Sequence, residues 1–103
     1  MNEIIFASKF FDLIDEGKKT TTVRRGIREY EPGLYNMYNP AKTVCGFIFI
    51  NGTKVIKFGE LTEDIAKTDG FNSLEELKSE LLNFYPALTD DSPVTIVYIQ
   101  KLR

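Results

Sequence analysis

Between Gly17 and Arg25 the chain reads Gly-Lys-Lys-Thr-Thr-Thr-Val-Arg-Arg, with three hydroxyls and four cations in nine residues. A threonine hydroxyl attacks a carbonyl only after a base takes its proton. The chain has no histidine and a single cysteine. The base that fits is therefore a lysine made neutral by burial or by neighbouring cations. Lys18, Arg24 and Arg25 carry the sign that would lower the pKa of Lys19. If the segment is a strand, Thr20, Thr22 and Arg24 share one face, and Thr21, Val23 and Arg25 share the other. With the Val23 face packed inward elsewhere, the Thr20, Thr22 and Arg24 face can look into a cleft with Lys19 at its mouth. A bland reading competes: threonines favour strands, and lysines and arginines decorate surfaces.

Four other places carry groups to weigh. Asp69, in Thr68-Asp69-Gly70-Phe71, offers a carboxylate that can bind an amine, orient a lysine or move a proton. Asp-Gly is also an ordinary turn. Tyr30-Glu31-Pro32-Gly33 can give a ligand pocket an aromatic stacking face, or simply turn the chain into a strand. Cys45 reads as a small buried hydrophobe, and Asp90-Asp91 as a solvated loop.

The elements that must position these residues follow from pattern. Ile4 to Phe6 is a short strand. Ser8 caps a helix over Lys9 to Glu16 whose apolar face holds Phe10, Leu13 and Ile14, and Gly17 stops it. Thr20 to Arg24 is the next strand. Glu31-Pro32-Gly33 turns the chain into a strand over Leu34 to Tyr38. Val44 to Ile50 and Lys54 to Phe58 flank Asn51-Gly52, a two-residue hairpin signal. A short helix over Leu61 to Ala66 ends near Asp69-Gly70. Ser73-Leu74-Glu75-Glu76 is a capping box that opens a helix to Tyr85, with Leu74, Leu77, Leu81 and Phe84 on its buried stripe. Pro93 to Lys101, rich in valine and isoleucine, closes the chain. The fold class is α+β: about six mostly antiparallel strands in a small closed or nearly closed barrel, with two or three flanking helices, since closure removes sticky edges.

Composition narrows the function classes. At 103 residues the chain is one domain, and 43% hydrophobic with 27% charged residues is ordinary for a globular protein. The formal net charge of -2 lacks the basic excess of a general nucleic-acid binder, so a polyanion site must be a local patch. One cysteine excludes an internal disulfide, and no Cys/His cluster has metal-ligand spacing. The N-terminus is too short and polar for a signal peptide, and no apolar run approaches the roughly 20 residues that span a bilayer. The chain reads as a cytoplasmic monomer with no membrane contact.

Taken in order, the Phe-rich first helix, Gly17-Lys18-Lys19-Thr20-Thr21-Thr22-Val23-Arg24-Arg25, Tyr30-Glu31-Pro32-Gly33, Phe58-Gly59-Glu60-Leu61-Thr62, Asp69-Gly70-Phe71 and the Ser73 to Leu77 helix start resemble an ASCH domain. That small barrel family is related to PUA domains, and the resemblance spans the whole chain. In length and layout the chain is also similar to the ASCH amidohydrolases that deacetylate N4-acetylcytidine. The resemblance implies a PUA-like β-barrel with Lys19 as general base, Thr22 as nucleophile and Asp69 as the assisting carboxylate, where the amidohydrolases carry Glu. Thr20, Arg24 and Tyr30 would bind the substrate, a nucleoside or nucleobase, and neither metal nor organic cofactor is implied. The alternative is a non-catalytic RNA-binding module, with Lys18, Arg25 and Arg28 on phosphates and Tyr30 or Tyr35 stacked on a base.

Overall fold

In the computed structural model, which describes residues 2–102, five strands form one curled mixed sheet in the order β1-β3-β4-β5-β2. Strand β1 (Glu3–Ile5) runs parallel to β3 (Gly33–Tyr38). The pairs β3–β4 (Cys45–Lys57), β4–β5 (Pro93–Lys101) and β5–β2 (Thr21–Arg25) are antiparallel. The result is a half-barrel, open between its edge strands β1 and β2. Three helices flank it: α1 (Phe11–Asp15), entered through a single 3-10 turn at Ser8–Phe10, then α2 (Glu63–Thr68) and α3 (Leu74–Phe84).

Strand β5 lies inside the sheet and buries both faces, which explains its unbroken apolar run. Val97 and Ile99 join Ile4, Ile14, Met37 and Ile48 in one core, beneath α1. Val94 and Ile96 join Val23, Phe58, Ala66, Leu77 and Leu81 in a second, beneath α2 and α3. Val23 therefore packs inward, as strand alternation requires.

Four expectations are corrected. Asn51-Gly52 is no hairpin: β4 runs straight through it, with a bulge between Ile50 and Gly52, so six strands become five. A turn signal loses to a longer pairing partner when β5 is long enough to hold both halves, and the extra residue is absorbed as a bulge. Ser8 makes no side-chain cap; Ala7 precedes the 3-10 turn there. Cys45 is exposed, at the outer end of β4. Phe84 is 63% exposed rather than buried: it lines two surface hollows instead of packing in either core. Ser73 does cap α3, accepting from the Glu76 amide at 3.2 Å.

Candidate active site

Two helix ends meet at the start of β2, and their termination chemistry builds the site. The last carbonyls of α1 are taken by backbone amides just beyond it: Gly17 N–H bonds Ile14 at 3.1 Å, while Lys18 and Lys19 N–H bond Leu13 at 2.8 and 3.0 Å. Gly17 supplies the positive φ of 74° that this reversal requires. Lys19 is thereby turned inward and left 3% exposed. The end of α2 repeats the device, with Gly70 at φ 97° and Phe71 N–H bonding Ala66 at 2.9 Å. The two ends are tied by Thr20 N–H, which donates to the Thr68 carbonyl at 2.7 Å. This contact sets Asp69 beside Lys19.

The Lys19 ammonium donates to the Asp69 backbone carbonyl at 2.8 Å and lies 3.1 Å from Asp69 Oδ1. The Phe10 ring centroid is 4.5 Å from the same nitrogen. Asp69 Oδ1 also accepts from Thr21 Oγ1 at 3.3 Å, and Thr21 shares a 3.0 Å hydrogen bond with Thr68 Oγ1. Burial pushes the Lys19 pKa down, and the Asp69 carboxylate opposes it. Burial likewise pushes Asp69 up, and Lys19 opposes that. Both groups are driven toward their neutral forms. The neighbouring cations expected to act on Lys19 play a smaller part: Arg24 adds a minor push downward, and Lys18 is exposed beside Glu16 at 3.3 Å.

Lys19, Thr22 and Asp69 line one cavity of about 160 Å³ at the open edge of β2. Phe6 and Phe10 wall it on the α1 side, and Leu81 and Tyr85 on the α3 side. Thr22 is buried, and its Oγ1 accepts from Arg24 Nε at 3.2 Å. No hydrogen bond joins Thr22 to Lys19; the one made at Oγ1 comes from Arg24. Arg24 spans the seam of the half-barrel, donating from Nη2 to the Ile5 carbonyl at 2.8 Å over the Phe6 ring. The pairing of β2 with β5 places Thr22 opposite Val97 and Arg24 opposite Thr95, in phase with the Thr20–Ile99 and Gly26–Pro93 hydrogen bonds. The Val23 peptide groups therefore face away from β5, toward the open edge where the cavity lies.

Not every expected residue is gathered here. Thr20 is exposed and lines a separate groove with Gly17, Lys19 and Lys101. Tyr30 packs against the α1-side core, 6.1 Å from Tyr35, outside the cavity wall. Tyr35 is buried, with its hydroxyl donated to the Glu31 carbonyl at 2.8 Å, so it offers no face for a base. Of the cations, Lys18 stands apart, whereas Arg25 and Arg28 share a groove next to the cavity.

One wall residue escaped notice in the sequence. Glu80, paired with Lys9, brings a second carboxyl to the cavity. Its spacing from Leu77, Leu81 and Phe84 is helical, so a charge on the apolar stripe of α3 was the available signal. Among the described residues no group of three His, Cys, Asp or Glu side chains could hold a metal. No helix there is long and apolar enough to cross a membrane.

No protein-family model matches the chain, and no curated protein sequence matches it. Solved structures do. The ASCH domain of Lactobacillus crispatus JV V101 superposes with a TM-score of 0.75 at 19% identity, covering 86% of this chain and 67% of that one. A protein of Enterococcus faecalis V583 reaches 0.76 at 13% identity, covering 99% of this chain and 77% of that one. A mutant ASCH protein from Zymomonas mobilis reaches 0.64 at 18% identity, over 95% of this chain and 66% of that one. The chain has the ASCH, PUA-like fold.

Proposed function

We propose that this protein is an amidohydrolase that removes the acyl group from N4-acetylcytidine or a related N-acylated cytosine. The observation that carries the reading is the burial of Lys19, paired to Asp69, in the same cavity as Thr22. A cation meant for nucleic-acid phosphates belongs in solvent. A lysine pushed toward neutrality inside a cavity is suited to accept a proton. The cavity is also smaller than the roughly 300–1,000 Å³ of sites for drug-sized ligands. It suits one flat base with a short acyl group, the sugar remaining outside.

The chemistry then runs on this chain's own groups. Burial favours the neutral amine of Lys19, and the Asp69 carboxylate and carbonyl orient it. On binding, the substrate draws Thr22 and Lys19 together, since such contacts tighten in the reactive complex. Lys19 takes the Thr22 hydroxyl proton as Oγ1 bonds to the acyl carbon. The oxyanion is met by the Val23 N–H at the open strand edge and by Arg24. The carbon–N4 bond breaks as Lys19 returns the proton to the leaving amine, which departs as cytosine or cytidine. Water, deprotonated by Lys19, attacks the threonine ester; the carbon–Oγ1 bond breaks, Lys19 returns the proton to Thr22 Oγ1, and acetate is released. The same reading places the protein in the cytoplasm, acting as a monomer.

Turnover of N4-acetylcytidine and N4-acetylcytosine by the purified protein tests this directly. Thr22→Ala and Lys19→Ala should each cost roughly 10³-fold or more in rate, with circular dichroism unchanged for Thr22→Ala. Undiminished turnover in either variant would sink the assignment. An RNA-binding module without catalysis would instead show no hydrolysis by the wild-type protein and RNA affinity that falls steeply with salt.

A further inference from the structure

Of the nine lysines, Lys78 lies 5.4 Å from the Phe58 ring centroid, and Lys9, Lys18, Lys19, Lys42, Lys57 and Lys101 each sit in an ion pair. Arg24, Arg25 and Arg28 sit in none among the described residues. Arg25 and Arg28 are exposed and line one groove with Gly26, Tyr85, Pro86 and Ser92. Their side chains are held by neutral partners. The Arg25 guanidinium lies 4.9 Å from the Tyr85 ring centroid. Arg28 Nε donates to the Arg25 carbonyl at 3.0 Å, and the Arg28 backbone N–H to Thr95 Oγ1 at 2.9 Å. A ring and a carbonyl fix a guanidinium in place without cancelling its charge. No acid lines the groove. Asp91, next to Ser92, faces Lys57 at 3.7 Å, and Glu29, next to Arg28, makes no ion pair among the described residues.

Phe84 and Tyr85 line both this groove and the cavity that holds Lys19 and Thr22. The end of α3 is thus a shared wall, with a site for a flat neutral group on one side and two uncompensated guanidinium groups on the other. We infer that the Arg25–Arg28 groove is a phosphate site, and that the preferred ligand is a cytidine nucleotide rather than a free base or nucleoside. The inference deepens the amidohydrolase reading and rests on it for the identity of the base. Forked donors favour phosphate oxygens, to which charge-assisted hydrogen bonds form in pairs. The phosphate can come from a free mononucleotide or from a nucleotide within RNA.

Binding measured by calorimetry separates these outcomes without any turnover. Cytidine 5′-monophosphate should bind the wild-type protein about 10- to 100-fold more tightly than cytidine, the span of one or two charge-assisted hydrogen bonds. Arg25→Ala and Arg28→Gln, both at exposed positions, should each erode that advantage, and together remove it, while cytidine affinity stays unchanged. Equal affinity for the two ligands, a nucleotide preference that survives both substitutions, or binding of neither ligand would overturn the inference. A short single-stranded RNA ending in cytidine serves as the second arm. Tighter binding than the mononucleotide, lost in the same variants, assigns the phosphate to RNA; equal or weaker binding assigns it to the free nucleotide. Hydrolysis without nucleotide preference would overturn the groove and leave the reaction. Nucleotide preference without hydrolysis would do the reverse.

Discussion

Burial acts on Lys19 and Asp69 in opposite senses, pushing the ammonium below its ordinary 10.5 and the carboxyl above its ordinary 3.8. For stability the signs follow from proton binding. The folded state holds the Asp69 proton more tightly than the unfolded chain, so stability falls as pH rises through the interval above 3.8. It holds the Lys19 proton less tightly, so stability climbs as pH rises through the interval below 10.5. A shallow stability minimum should lie between these intervals and vanish in Lys19→Met/Asp69→Asn, as urea unfolding at a series of pH values will register. For catalysis only the neutral amine serves as a base. The rate should therefore rise with pH along a limb whose midpoint lies below 10.5. Because the Asp69 charge holds the Lys19 pKa up, Asp69→Asn should move that limb to lower pH, even as the maximal rate drops. A limb that stays put, or moves upward, would show that the Asp69 charge does not hold the Lys19 pKa up.

At the scale of elements, the site depends on how two helices stop. Gly17 and Gly70 both hold positive φ, at 74° and 97°, but their surroundings differ. A Cβ added at Gly17 would meet nothing within 4 Å, whereas one at Gly70 would lie 3.1 Å from Leu13 Cδ1 and 3.6 Å from Lys19 Cβ. Gly17→Ala should cost only the backbone strain, about 1–2 kcal/mol. Gly70→Ala should cost more in chemical unfolding and also lower activity, since it pushes against Lys19 and the loop carrying Asp69. Equal losses of stability with equal retention of rate would refute that difference. The stop at Gly17, the cap at Ser73 and the strand from Pro93 to Lys101 were all readable, because a local rule decides each one. What a local rule could not decide was the partner. Asn51-Gly52 bends into a hairpin only if the two flanking strands pair, and here both halves of β4 pair with β5. The cavity was legible in part for the same reason. Lys19, Thr22 and Asp69 stood out by type and spacing, whereas the exclusion of Thr20 and Tyr30 was decided by tertiary packing, which puts Thr20 in a separate groove and Tyr30 against the α1-side core.

For the whole molecule, the decisive feature is that the barrel does not close. An open seam leaves the edge of β2 with unpaired peptide groups, normally an invitation to aggregate. Here α3 lies along the gap, and Arg24 bridges it, from Thr22 Oγ1 on β2 to the Ile5 carbonyl at the end of β1. The cavity occupies the rest of the seam. The opening that weakens the fold is thus the opening that brings the strand edge to the cavity. Arg24 is half-buried, and burial pushes its pKa down. Arg24→Ala should lower stability by about 1.5–3 kcal/mol, the span for a hydrogen bond to a charged group. It should also raise amide hydrogen exchange selectively in β1 and β2, the two edges it joins. Arg24→Lys should restore little of either, because an ammonium on a single-chain stem lacks the fork that reaches both oxygens. Exchange that rises evenly across the sheet would mean Arg24 stabilises the core in general; protection in β1 that survives Arg24→Ala would mean the seam is closed by the helix alone.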